Sequence, residues 1–125
     1  MHKIVNSSNA PSPIGPYSQA ALAGNTLYVS GQIPLDPKTG NLIEGTIEEE
    51  TEMVMKNLSA ILTEAGADFT NVVKCSIFVK DMSDFGKINE TYGKFFEENP
   101  PARETVEVSR LPKDVRVEIS CIAIL

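Results

Sequence analysis

The hydrophobic pattern of this chain changes its period at Thr46, and that change limits the folds available to it. Thr46 and Glu49 have the spacing of a capping box, which begins a helix. Gly66 is typical of the position just after a helix ends. Between them, apolar residues recur at helical spacing, at Ile47, Val54, Leu58, Ile61, Leu62 and Ala65. The sequence therefore predicts an amphipathic helix that starts at Thr46 and stops at Gly66.

The segments before and after this helix alternate in the manner of strands. Runs of strand type cover residues 25–33, 73–79, 103–109 and 115–124. In the second run, one face is predicted to carry Val73, Cys75, Ile77 and Val79. A second helix, capped by Ser83 or Asp84, is predicted from the apolar stripe of Phe85, Ile88, Tyr92 and Phe95.

The order of these elements and the length of the chain favour one fold class. The 125 residues suit one domain over 1–125, and strands that alternate with helices are typical of α+β proteins. We therefore expect a mixed sheet with two helices on one face. Residues 121–125 are apolar on both faces, so the second face also needs a cover, and we expect another copy of the chain to supply it.

The last two strand-type runs carry the most informative polar residues. If a loop over 111–114 joins them as an antiparallel hairpin, Glu107 faces Glu118. Arg103 then shares a face with Glu118 but lies about four residues further along, which is roughly 13 Å at ~3.3 Å per residue. A bulge or a neighbouring subunit would have to close that gap. The alternative is that this face is simply solvated.

Composition and charge exclude several classes of partner. A net charge of −6, without a basic run, argues against binding to nucleic acid. No apolar stretch approaches the roughly 18 residues of a membrane span, so we expect no membrane partner. No signal peptide is recognisable after Met1, and a cytoplasmic location is the default expectation.

The inventory of histidine and cysteine is small. The chain contains one histidine, His2, and two cysteines, Cys75 and Cys121. This small set predicts neither a metal site nor a Ser-His or Cys-His nucleophile. Both cysteines lie in apolar strand-type runs, so buried thiols without a disulfide are expected.

Six short motifs occur in order, from about residue 10 to the C-terminus, at the spacing found in one known family. They are IGPYSQA at 14–20, SGQIP at 30–34, VKDM at 79–82, NETY at 89–92, PAR at 101–103 and RLPKDVRVEI at 110–119. Each motif alone is weak, but together they resemble the reactive intermediate deaminase A family, also called the RidA or YjgF family.

This resemblance implies a structure and an activity. The fold would be the chorismate-mutase-like α+β domain, assembled as a homotrimer with three sites in the clefts between subunits. The reaction would be hydrolytic deamination of reactive enamines and imines, such as 2-aminoacrylate and 2-iminobutanoate, to 2-keto acids and ammonia. The expected ligand is thus a small imino or keto acid, and no cofactor or metal is expected.

The resemblance also assigns roles to two charged residues. Arg103 would anchor the substrate carboxylate, because a guanidinium binds a carboxylate through two parallel hydrogen bonds. Glu118 would polarise a water molecule and relay a proton towards the departing ammonia. Burial would raise the pKa of Glu118 and a nearby Arg103 would lower it, and the sequence leaves the balance of these effects open.

Five further positions correspond to the substrate-binding residues of the family. Tyr17 would pack beside the ligand, and Ser30, Gly31 and Asn89 would line the cleft. Thr105 stands where many family members carry cysteine, so thiol-dependent behaviour linked to that cysteine is in doubt here.

The sequence also leaves a second function open, in which the trimer binds keto acids as a sensor or interaction module without significant turnover. A ribonuclease activity, which has been attached to the family, is disfavoured by the net charge of −6.

Overall fold

The computed structural model describes all 125 residues, and a single six-stranded sheet organises them. The helices are α1 (Ile47–Glu64) and α2 (Phe85–Gly93). The strands are β1 (Lys3–Val5), β2 (Ala20–Ala23), β3 (Thr26–Gln32), β4 (Val72–Val79), β5 (Ala102–Glu107) and β6 (Val117–Ile124). Their order in the sheet is β1-β2-β3-β6-β4-β5. All neighbours are antiparallel except β4 and β5, so the predicted α+β domain with a mixed sheet and two helices is confirmed.

The capping box at the start of α1 is formed as predicted. Thr46 Oγ1 accepts a hydrogen bond from the Glu49 backbone N–H at 3.1 Å, and Glu49 Oε1 accepts one from the Thr46 N–H at 3.0 Å. The helix gives way at Ala65 to Gly66, whose φ of +79° lies in the left-handed region that glycine tolerates. Neither helix combines the length and the apolarity that crossing a bilayer requires.

The core lies between α1 and one face of the sheet. The fully buried apolar residues of α1 are Val54, Met55, Leu58, Ile61 and Leu62. They pack against the buried side chains of the central strands, among them Leu27, Ile77, Val79, Val117 and Ile119. Burial of each such large side chain contributes about 1.5–3 kcal/mol to folding. Cys75 and Cys121 are buried free thiols in this layer, opposite each other on β4 and β6, as predicted.

The other face of the sheet carries exposed apolar side chains. Tyr28, Val73, Val106 and Ile124 are each at least 38% exposed. None of the helices covers this face, because α1 and α2 both pack on the opposite side. A monomer of this chain therefore leaves an apolar sheet surface in contact with water.

The expected hairpin of the last two strands is wrong. β4 lies between β5 and β6, so that β5 pairs with β4 in parallel and β6 pairs with β4 and β3. Alternation along a strand fixes which residues share a face, but it does not fix which strand lies next to it. The polar β5 suits the edge of a sheet, whereas β6, apolar on both faces near its end, suits the centre.

Two smaller expectations also need correction. The pairing of β4 with β6 shifts between Val72 and Lys74, so Val72 enters the core and Val73 is 47% exposed. The predicted face of the strand therefore begins with Val72 instead of Val73. Asp84 is the N-cap residue of α2 but makes no capping hydrogen bond, since the preceding short turn is capped by Asp81, which accepts from the Ser83 N–H at 2.9 Å.

Candidate active site

Glu118 lies on the sheet face away from the helices, opposite a bulge in β3. The pairing of β3 with β6 shifts between Val29 and Gln32, which accommodates one extra residue at Ser30 and Gly31. A Cβ atom on Gly31 would lie only 2.8 Å from Cδ of Glu118. Glycine therefore leaves room for the carboxylate to lie against the backbone of β3 at this point.

The electrostatic environment of Glu118 favours its neutral form. The residue is partly buried and takes part in none of the salt bridges of the chain. Burial alone raises the pKa of its carboxyl group above the ordinary value. The sequence left open whether burial would raise the pKa of Glu118 or a nearby Arg103 would lower it. Within a single chain, burial is the effect that acts. A carboxylate with a raised pKa is a better proton acceptor at neutral pH.

Tyr17 and Ser30 lie beside Gly31. The Ser30 hydroxyl donates to the carbonyl of Ser18 at 2.6 Å, which ties the loop that carries Tyr17 to the bulge of β3. Tyr17 lines the same small cavity as Gly31 and is 47% exposed. We call Tyr17, Ser30, Gly31 and Glu118 the acid half-site.

Arg103 lies on β5, on the same side of the sheet as the helices. Its Nη1 donates to Asn89 Oδ1 of α2 at 2.6 Å. The guanidinium carbon lies 5.5 Å from the ring centroid of Phe85 and 5.2 Å from that of Tyr92. These contacts hold the planar group by hydrogen bonding and cation–π attraction. No carboxylate of the chain forms a salt bridge with Arg103, so its charge remains available to an external anion.

Thr105 follows two residues after Arg103 and points to the same side of the sheet. Its register partner on β4 is Ile77, a core residue. The Thr105 hydroxyl oxygen is buried and has no hydrogen-bond partner. An unpaired buried hydroxyl is destabilising by about 1–3 kcal/mol, so a ligand that supplied a partner would recover that free energy. We call Asn89, Arg103 and Thr105 the arginine half-site.

The two half-sites lie on opposite faces of the sheet. Arg103 pairs with Cys75 of β4, whose side chain is in the core beneath the helices. Glu118 pairs with Phe78, whose side chain lies on the other face. The expectation that Arg103 and Glu118 share a face of one chain is therefore wrong, because it depended on the hairpin that the strand order replaces. One copy of the chain cannot bring these two groups to one ligand.

The contribution of the aromatic side chains to the arginine half-site was not expected from the sequence. The sequence pattern places Phe85 and Tyr92 in the apolar stripe of the second helix. Tyr92 is indeed buried, yet both rings also support the guanidinium of Arg103. The available signal is the spacing: Phe85, Asn89 and Tyr92 follow at i, i+4 and i+7, so they lie along one side of α2.

The arginine half-site opens into a surface cleft. Asn89, Tyr92, Phe96, Pro100, Pro101 and Arg103 line a space of about 360 Å³. A cation held by an amide and two rings at the edge of such a cleft is suited to a small carboxylate. No group of three or more His, Cys, Asp or Glu side chains is placed to hold a metal ion. Fold and site together define a small α+β protein with an arginine, free of any salt bridge, at an open cleft.

The particular family follows from comparison with known proteins. Residues 7–125 match the family described as endoribonuclease L-PSP, and the chain belongs to this family, which is that of the Rid (YjgF) proteins. A RutC family protein of Pyrococcus horikoshii is 53% identical over 123 residues, which are 98% of each chain. The 2-iminobutanoate/2-iminopropanoate deaminase of Rattus norvegicus is 48% identical, over 99% of this chain and 90% of its own length.

A solved structure agrees with the fold over the whole chain. The crystal structure of a putative endoribonuclease from Thermotoga maritima superposes with a TM-score of 0.97 at 48% identity. The match covers 100% of this chain and 98% of that one. The fold described above is therefore shared with that structure over its whole length.

Proposed function

We propose that this protein hydrolyses reactive enamines and imines of small 2-amino acids, such as 2-aminoacrylate and 2-iminobutanoate, to 2-keto acids and ammonia. The observation that carries the proposal is the guanidinium of Arg103, which is oriented by Asn89 and two aromatic rings and has no carboxylate partner in its own chain. The mammalian relative named 2-iminobutanoate/2-iminopropanoate deaminase supports the same reaction class.

The proposed reaction needs an anchor, a water molecule and one proton carrier. Arg103 binds the carboxylate of the imino acid through two parallel hydrogen bonds. Glu118, as the carboxylate, takes a proton from water while the water oxygen bonds to the imine carbon. Glu118 returns that proton to the imine nitrogen, which gives a neutral carbinolamine. The carboxylate then takes the proton of the carbinolamine hydroxyl and delivers it to the nitrogen, so that the carbon–oxygen double bond forms while the carbon–nitrogen bond breaks. Ammonia leaves, and the keto acid is the other product. Glu118 ends the cycle in its starting protonation state.

The site is proposed to form between two copies of the chain. The arginine half-site of one subunit would face the acid half-site of the next, since the two lie on opposite sheet faces in one chain. The exposed apolar residues Tyr28, Val73, Val106 and Ile124 would be buried when copies associate. A homotrimer would close such a head-to-tail arrangement into a ring with three equivalent sites.

Thr105 is proposed to contact the ligand through its unpaired hydroxyl. It would then donate to the carboxylate or to the oxygen of the keto-acid product. Since the family's frequent cysteine is absent at this position, deamination by this protein should be insensitive to thiol reagents aimed at the site.

The activity is tested by coupling the purified protein to a pyridoxal-phosphate-dependent threonine dehydratase and following the formation of 2-ketobutyrate. The protein is expected to accelerate the decay of the released enamine and imine, and Arg103→Ala is expected to abolish the effect. Equal rates with and without the protein would refute the deaminase function. Saturable binding of 2-ketobutyrate in calorimetry, without turnover, would instead support a keto-acid sensor.

The division of the site between subunits has its own test. Trimers of Arg103→Ala and of Glu118→Gln are each expected to be inactive. When the two are mixed and allowed to exchange subunits, some interfaces combine an intact Arg103 with an intact Glu118, and activity should return. No recovery after proven exchange would show that both groups act from the same chain.

The name of the family suggests ribonuclease activity, which the charge of this chain opposes. Binding to a phosphate backbone requires several positive side chains to release counterions. The net charge is −6, and Arg103, the free cation of the cleft, matches a single carboxylate. RNA cleavage that disappears in Arg103→Ala would contradict this conclusion.

A further inference from the structure

The loop between β1 and β2 carries Tyr17 but has little backbone hydrogen bonding of its own. Within residues 6–19, the backbone bonds are those from the Ala10 N–H to Ser7 at 3.4 Å and from the Tyr17 N–H to Gly15 at 2.9 Å. A loop of this length with so few internal bonds is expected to sample many conformations. Another group must therefore hold it if Tyr17 is to keep one position.

Besides the Ser30 hydroxyl, which binds the Ser18 carbonyl, the group that holds it is the side-chain amide of Gln19, which is 2% exposed. Its Oε1 accepts from the Ser7 N–H at 2.6 Å. Its Nε2 carries two hydrogens and lies within donating distance of three carbonyls, those of Ser7 at 3.1 Å, Ala10 at 3.4 Å and Pro11 at 2.9 Å, so one hydrogen is shared between two acceptors. A primary amide is the side chain that supplies one acceptor and two donors at one point. Gln19 thus replaces the missing backbone bonds of the loop.

The main chain of Gln19 continues this connection to the acid half-site. Its N–H donates to Asn6 Oδ1 at 3.2 Å, and its carbonyl accepts from the Ser30 N–H at 2.9 Å. Gln19 also lines the cavity shared by Tyr17 and Gly31. One buried residue therefore joins the start of the loop, its end and the bulge of β3.

We infer that Gln19 is a positioning residue that holds Tyr17 in the acid half-site. The inference rests on the proposed function, because it gives Tyr17 a ligand to contact. Gln19 itself does not reach the reacting atoms. It acts by restricting the loop, so that Tyr17 closes one side of the cleft before substrate arrives. Small displacements of such a group cost activity, since about 1 Å of misplacement can reduce a rate about 100-fold.

The test compares Gln19→Met, which keeps the length but not the hydrogen bonds, with Gln19→Glu, which keeps the shape but sets a carboxyl group against three carbonyls. Leu62→Ala is the control, since Leu62 is fully buried on α1, its truncation lowers stability, and it makes none of the hydrogen bonds that hold the loop. Both Gln19 variants are expected to lose about 10- to 100-fold in kcat/KM, whereas the control keeps it. Hydrogen exchange of residues 7–18 should accelerate in the Gln19 variants alone.

A double variant distinguishes positioning from a general loss of structure. If Gln19 acts through Tyr17, Tyr17→Ala combined with Gln19→Met has the same kcat/KM as Tyr17→Ala alone. Multiplied losses, or unchanged exchange of the loop in the Gln19 variants, would overturn the inference. If the wild-type protein has no deaminase activity, the proposed function fails, and the exchange experiment still decides whether Gln19 orders the loop. Should Gln19→Met not fold, Gln19→Glu provides the same comparison.

Discussion

Gly31 lies directly beneath the carboxylate of Glu118, so closely that a single methyl group on Gly31 would collide with it. The Cδ and Cγ atoms of Glu118 lie 2.8 and 3.0 Å from the position of that methyl carbon, and a carboxylate oxygen is closer still. This close approach lies within the bulge of β3, where the pairing with β6 shifts between Val29 and Gln32. The absence of a side chain at one residue thereby sets the position of the proposed proton acceptor.

Gly31→Ala is therefore expected to displace Glu118 and to lower kcat about 10- to 100-fold, since general-base catalysis contributes about 10²–10⁴ when the base is in place. The measurement is steady-state deamination of 2-iminobutanoate. Gly86→Ala serves as the control, because a Cβ atom on Gly86 meets nothing within 4 Å in α2. That control should keep full activity and gain about 0.5–1 kcal/mol in stability. Equal activities of the two variants would contradict the proposed role of Gly31.

The parts of this structure that the sequence predicted are those with local signals. The capping box at Thr46 and the left-handed Gly66 belong to a few consecutive residues, and the structure confirms both. The pairing of β5 with β4 depends on contacts between distant segments, which alternation does not encode. Because β5 pairs with β4 and not with β6, Arg103 lies on the face opposite Glu118. The site residues could thus be named from motifs, whereas their division between two faces needed the structure.

Glu118→Gln is expected to lower activity while it raises stability. Burial raises the pKa of Glu118 above 4.5, so the folded protein holds the proton more tightly than the unfolded chain. The stabilising contribution of the neutral acid is complete below the unfolded pKa and is lost as the pH rises through the folded pKa. Glutamine is neutral at every pH, so the Glu118→Gln variant does not lose stability as the pH rises through the folded pKa of Glu118.

The variant should therefore unfold at a higher Tm than the wild type at about pH 8, and the difference should disappear towards about pH 4. Its kcat should fall by at least about 100-fold. Wild-type kcat/KM should rise with pH through an apparent pKa above the ordinary 4.5 of a glutamic acid. Thermal unfolding and pH–rate profiles of both proteins provide the check. A Tm difference that is constant with pH would show that Glu118 is not the titrating group.

Arg103→Lys is expected to raise KM about 10- to 100-fold, which corresponds to the loss of one charge-assisted hydrogen bond of about 1.5–3 kcal/mol. Lysine keeps the positive charge but loses the planar fork that Asn89 and the two rings orient. Arg110→Lys is the matched control, since Arg110 is 77% exposed and pairs only with Asp114. The control should leave KM unchanged. Equal KM values for wild type and Arg103→Lys would show that charge alone binds the substrate.

The last prediction concerns the ion pair between Arg116 and Glu50, which fastens the start of β6 to α1. Arg116 Nη2 contacts the carboxylate of Glu50 and also donates to the carbonyl of Gly45 at 2.9 Å. The side chain of Glu50 is 10% exposed and that of Arg116 is 42% exposed, so solvent screens the ion pair only in part. Because Arg116 precedes Glu118 by two residues, the pair holds the strand that presents the proposed base. We expect Glu50→Ala and Arg116→Ala each to lower the free energy of unfolding, with a coupling of about 1–2 kcal/mol in the double variant.

Denaturant unfolding of the four proteins measures this coupling, and added salt should reduce it only slightly because Glu50 is nearly buried. The exposed pair of Lys56 and Glu52, whose charged atoms lie 3.5 Å apart on α1, is the matched comparison. Its coupling should be at most about 0.5 kcal/mol and should vanish at high salt, as is usual for i,i+4 pairs at a helix surface. If the two pairs couple equally, the Arg116 contact contributes no more than a surface pair, and the position of β6 depends on its strand neighbours alone.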